Sequence, residues 1–121
     1  MKKIKAMFIE AGSFNVTVKE IDDELKVYQD FVGGFIECVS LNPRTIMVVN
    51  DEGLMCDLKE NIIASMLYWS AIGYPVSPIA GNAVIVGRDG EDFADVPPSM
   101  IFQVNTILKR LSESETSGPV S

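Results

Sequence analysis

The sequence predicts a single α+β domain: a mostly antiparallel sheet with two to three helices. Three observations carry this. The chain has 121 residues, 47% hydrophobic and 22% charged, which suits one domain with one core. Stretches with a period of two alternate with stretches of helical period. Their order, β-β-α-β-β-(β)-α-β-α, lacks the regular βα alternation of a parallel sheet. The domain is expected over residues 1–111, with a flexible C-terminal tail over 112–121 that is rich in Ser and Glu.

Each element has its own signal. Residues 4–9 are an apolar strand, and Ala11-Gly12-Ser13 is turn material. Phe14, Val16 and Val18 alternate with Asn15, Thr17 and Lys19, so the second strand closes a hairpin. Asp22 has the chemistry of an N-cap, and Leu25, Tyr28, Phe31 and Val32 form one apolar helical face. Gly33 stands where helices commonly end. Phe35, Glu37, Val39 and Leu41 resume the period of two, and Asn42-Pro43-Arg44 turns the chain into a β-branched strand over 45–49. Asn50-Asp51-Glu52-Gly53 is a second turn, and Leu54 to Cys56 is a candidate short returning strand.

Asp57-Leu58-Lys59-Glu60 has the form of a capping box, which predicts a helix over 58–72 closed by Gly73 and Pro75. Its apolar residues, among them Met66, Leu67, Tyr68 and Trp69, go nearly all the way round. Such a helix either crosses the sheet centre or buries part of its surface against another subunit. A short apolar strand over 83–86, an acidic loop over 88–95 and a helix opened by Pro97-Pro98 complete the domain. Ile101, Val104, Leu108 and Leu111 are that helix's stripe.

The net charge is −7, and residues 6–108 alone hold five basic and fifteen acidic groups, a net of −10. A body this acidic repels phosphate backbones, which argues against general nucleic-acid binding. No run approaches the roughly 20 apolar residues of a membrane span. Cys38 and Cys56 form no CxxC, and their expected state is two reduced, core-like thiols in a cytoplasmic protein.

The sequence contains no histidine, so the commonest general base and metal ligand are missing. No phosphate loop, nucleophile elbow or calcium loop is present, and no metal or other cofactor is expected. The remaining enzymatic reading is a carboxylate-based, metal-dependent hydrolase. It requires at least two of Glu37, Asp51, Glu52, Asp57, Asp89 and Asp92 to converge.

Val32-Gly33-Gly34-Phe35-Ile36-Glu37-Cys38-Val39, the Val-Asn-Asp-Glu-Gly run ending at Gly53, Gly81–Gly87 and Glu91-Asp92-Phe93 carry a resemblance. Over residues 4–110 the chain resembles the domain-of-unknown-function 3846 family of phages and mobile elements. It departs from that pattern over 58–78, where a long apolar insertion follows Leu58-Lys59-Glu60-Asn61. The resemblance implies a phage or mobile-element context and supplies no activity and no catalytic residues.

The resulting expectation is a small accessory protein of the host-cell cytoplasm that acts by binding. It would assemble as a homo-oligomer through Met66, Leu67, Tyr68 and Trp69. As counter-defence it would sequester a nucleotide signal or inhibit a host protein. A purely structural homo-oligomer is the other non-enzymatic reading. An anionic ligand needs cations or polar donors, and Arg44, Arg88, Lys59 and Asn50 are the candidates.

Overall fold

Along the chain lie β1 (Lys3–Ile9), β2 (Val16–Asp22), α1 (Leu25–Val32), β3 (Ile36–Asn42), β4 (Thr45–Asn50), α2 (Ile62–Ile72), β5 (Ala83–Asp89), β6 (Asp92–Ala94) and α3 (Pro98–Thr116). The computed structural model describes residues 2–116, and their side chains through residue 113. It is a single α+β domain with six strands and three helices among the described residues.

The strands lie in the order β2-β1-β5-β4-β3, and every pairing is antiparallel. β5 has neighbours on both sides. β4 runs along one flank, while the other is shared by β1, against Ala83–Ile85, and β6, against Gly87–Asp89. This enclosure is why the segment reads as a continuous apolar run instead of an alternating one.

Each sheet face carries a core. Met7, Ile9, Met47, Val49 and Ile85 pack with Ile63, Ala64 and Leu67 of α2 and with Met100 and Val104 of α3. On the opposite face Ile4, Ala6, Phe8, Ile46, Val48, Val84 and Val86 pack under Tyr28 of α1. The alternation of side chains along each strand feeds both layers. No helix among the described residues is long and apolar enough to cross a membrane.

Gly33 and Gly73 end α1 and α2 in the left-handed conformation, with φ of 84° and 89°. The start of α2 differs from expectation. Asp57-x-x-Glu60 does not cap it: Asp57 closes a run of turns at φ 56°, and Glu60 forms a β-bridge with Ala80. The cap is Asn61, whose Oδ1 accepts the Ala64 N–H at 3.1 Å. Its Nδ2 donates to the carbonyls of Ile9 (3.1 Å) and Gly81 (3.0 Å), tying the helix to the end of β1 and to the segment that leads into β5. Those two distant carbonyls make residue 61 the better cap.

Other expectations need correction. Residues 54–56 lie in turns, with the Cys56 N–H donating to Glu52 O. β2 is an edge strand, so Phe14 and Val18 are exposed and Ile21 is its buried residue. The strand runs on to Asp22, which ion-pairs with Lys3 instead of capping α1. Cys38 and Cys56 are both exposed, because one sits on the other edge strand and the other in the turns. Helix α3 continues through Thr116, past the Ser112 where a tail was expected. Residues 117–121 lie outside the described residues.

Tyr28 is buried, and its hydroxyl donates to Asp23 Oδ1 at 2.8 Å. Burial, then the hydrogen bond to and charge of Asp23, push this phenol well above its ordinary value of 10.0. A raised folded value means that stability is fully present below the unfolded value and is lost as pH rises above it. The melting temperature is therefore expected to fall as pH is raised past about 10. Tyr28→Phe should flatten that fall in parallel melts, and an unchanged slope would contradict this assignment.

Candidate functional site

The end of the sheet where β4 begins and β5 finishes brings two arginines together. Arg44 sits in the two-residue turn between β3 and β4, where Asn42 Oδ1 accepts its N–H at 2.8 Å. Such an Asx turn fixes the backbone locally. The Arg88 N–H donates to the Arg44 carbonyl at 2.9 Å. That bond continues the β4–β5 ladder one residue beyond the Thr45–Gly87 pair. Two arginines distant in sequence thus stand on neighbouring strands.

Arg88 is held further by Nε, which donates to the Gly90 carbonyl at 3.0 Å and leaves the terminal guanidinium nitrogens for other partners. Arg88 is also paired in register with Phe93 of β6, and Lys2 Nζ donates to the Phe93 carbonyl. Both arginines are exposed, and neither takes part in an ion pair among the described residues. Like charges side by side on adjacent strands oppose each other. No carboxylate lies within ion-pair distance of either arginine among the described residues, although Asp89, Glu91 and Asp92 stand in the same hairpin as Arg88. Two forked donors with free terminal nitrogens can receive an anion such as a phosphate in bidentate fashion.

The other two expected ligand residues lie at the far end of β4 and β5 and do other work. Asn50 donates through Nδ2 to the Val32 carbonyl at 3.1 Å and accepts the Glu52 N–H at 2.7 Å, joining the end of α1 to the turn. Lys59 lies along Gly12, where an added Cβ would meet its Cδ at 2.9 Å. Lys2 was missed; its only signal is its place in the basic N-terminus.

The acids divide as well. Glu37, Asp51 and Glu52 line one cavity of about 260 Å³ with Val49, Ile79 and Met55, whereas Asp57, Asp89 and Asp92 are not part of it. Among the described residues no group of three or more His, Cys, Asp or Glu is placed to hold a metal ion. Although Cys38 is exposed as a residue, partial desolvation of its thiol, then the charge of Glu37, raise it above its ordinary value, which makes it a weak nucleophile.

The expected interface residues separate around α2. Leu67 is 2% exposed and belongs to the domain's own core. Met66 is exposed, and Tyr68 and Trp69 are half-buried. Trp69 Nε1 is shielded with no hydrogen-bond partner among the described residues. One side of the helix meets the sheet and another lies beside α3, while Ile62 and Met66 remain exposed.

Residues 4–112 match the family described as Domain of unknown function (DUF3846). The chain belongs to this family. No curated protein and no solved structure matches it significantly. Within this DUF3846 domain the matched span runs from β1 through nearly all of α3. The paired arginines and the acidic cavity both fall inside it.

Proposed function

We propose that this DUF3846 protein acts by binding, not catalysis, and takes a small phosphate-bearing ligand of the nucleotide class on Arg44 and Arg88. The observation that carries the reading is the hydrogen-bonded juxtaposition of these two arginines at one sheet end, without carboxylate partners. A turn arginine and a strand-end arginine held by one rigid sheet are a favourable platform for such contacts. The biological setting we propose is an accessory protein of a phage or mobile element that withdraws a nucleotide signal from its host. The hydrolase reading keeps some support, since Glu37, Asp51 and Glu52 line one cavity, but it ranks second because no group of three or more His, Cys, Asp or Glu among the described residues is placed to hold a metal ion.

Calorimetry of the purified protein against cyclic and linear nucleotides tests this. Arg44→Ala and Arg88→Ala should each weaken binding at least tenfold, about 1.5–3 kcal/mol. Lys59→Ala should leave it unchanged, because Lys59 lies at the opposite end of β5. Affinity should also fall with added salt. The reading fails if no nucleotide binds, or if one binds and neither arginine variant weakens it.

A further inference from the structure

Helix α3 shows two sides. Its inner stripe, including Met100 and Val104, is buried against the sheet. Its outer row is Phe102, Thr106 and Arg110, spaced four residues apart so that they stand in line. Phe102 is 74% exposed, a large cost for an aromatic ring in water. The Thr106 hydroxyl turns back to donate to the Phe102 carbonyl at 2.9 Å, which leaves its methyl group to the surface. A shallow cleft runs along each side of this row, of about 430 Å³ and about 370 Å³, and Met66 and Ser70 of α2 form the far wall of the second. A ridge between two grooves is the shape that helices use to pack on one another.

We infer that two copies of this chain associate through antiparallel α3 helices, the Arg110 guanidinium of each lying over the Phe102 ring of the other. The occupant follows from charge. Copies of a chain with net −7 repel over most of their surface. From Asn61 to Gly87 there is no charged residue, and the acids of α3 begin only at Glu113, which lines the first of the two clefts. In an antiparallel pairing centred on Thr106, Glu113 falls opposite Ser99, so carboxylate is not set against carboxylate.

The row is also complementary to itself. About a twofold axis at Thr106, antiparallel pairing sets position 102 opposite position 110, so each end joins an aromatic ring to a cation. Parallel pairing would set Arg110 against Arg110. The face shares no residue with the arginine site at the sheet end, so the inference is independent of the proposed ligand.

Sedimentation velocity of the full chain at micromolar concentration tests it. The expected result is a dimer of the 13.3 kDa chain. Phe102→Lys, which sets a second cation against Arg110, and Arg110→Glu should each raise the dissociation constant by about tenfold or more. The combined exchange Phe102→Arg with Arg110→Phe should restore the dimer, because it regenerates both ring–cation pairs in the same register. Circular dichroism should remain unchanged, since both positions are exposed. A monomeric wild type overturns the inference, as does a dimer that neither single variant weakens. A dimer that the exchange fails to restore overturns the antiparallel register. Nucleotide titration of Phe102→Lys separates the two proposals, since binding at Arg44 and Arg88 should survive loss of the dimer.

Discussion

Asn61→Ala is expected to lower the stability of the fold by about 3–5 kcal/mol, the largest loss for any single side chain discussed. The residue is 1% exposed. Alanine removes an N-cap, a loss of about 1 kcal/mol. It also leaves the Ile9 and Gly81 carbonyls without the amide that donates to them, at about 1–3 kcal/mol for each buried group left unsatisfied. Ser65 cannot compensate, because its hydroxyl already donates to the Asn61 carbonyl and accepts the Ile79 N–H. Urea denaturation should show a lower midpoint with an unchanged slope. Asn61→Asp gives a second measurement. It keeps the acceptor for Ala64 but turns a carboxylate oxygen toward two carbonyls, so its folded pKa should rise. Its deficit should then grow as pH climbs from acid to neutral. A loss below about 1 kcal/mol in the alanine variant would mean that the Asn61 network contributes little beyond the cap.

Gly87→Ala should be the second most damaging change and should couple stability to the proposed site. A Cβ at this position would lie 2.0 Å from the Asp95 carbonyl oxygen and 3.0 Å from its carbon. Both atoms are backbone, so no rotamer change relieves the clash, and the segment leaving β6 must move. That segment is anchored by the Val96 N–H on the Lys5 carbonyl and by Asp95 Oδ1 on the Lys5 N–H. The expected loss is about 2–4 kcal/mol. Arg88 is the next residue and pairs with Phe93 of the displaced strand, so nucleotide affinity should fall with stability. Gly90→Ala, in the same hairpin, meets no atom within 4 Å and bears only the strain of φ 64°, so it should cost less. Equal losses for the two glycine variants would show that close approach is not the reason for Gly87.

What could be read from the sequence was local. The αL glycine at 33, the alternation that makes β3, the apolar run of β5 and the stripe of α3 all act over a few residues. The register of the sheet was not legible. Nothing near Arg44 announces that Arg88 will donate to its carbonyl, because that neighbourhood is created by β4–β5 pairing. Both arginines could be named as loop cations, but their adjacency could not. Asn50 and Lys59 looked equally available, since a polar residue in a turn gives no sign that backbone groups or a glycine surface already occupy it. Asn61 was passed over for Asp57 because a capping box is a four-residue pattern, whereas the claim of Asn61 rests on carbonyls at residues 9 and 81. The apolar ring of α2 was legible as an excess, but its division between the sheet and α3 follows from where the helices dock.

The position of β5 has a consequence for how the chain acquires its fold. The hairpins β1–β2 and β3–β4 each close over a short loop, yet in the finished sheet neither pairs with the other. They are joined only through β5, where Ile85 meets Met7 on one flank and Met47 on the other. Two-stranded hairpins alone are marginal in water. A nascent chain ending before residue 83 therefore holds two unjoined ribbons with their apolar sides uncovered. Synthesis of a single late strand converts them into one sheet. Folding should be all-or-none and slow for this length, because its decisive contacts span most of the sequence. A chain cut just before Ala83 should gain no cooperative transition, while a peptide of residues 83–116 added to it should supply one.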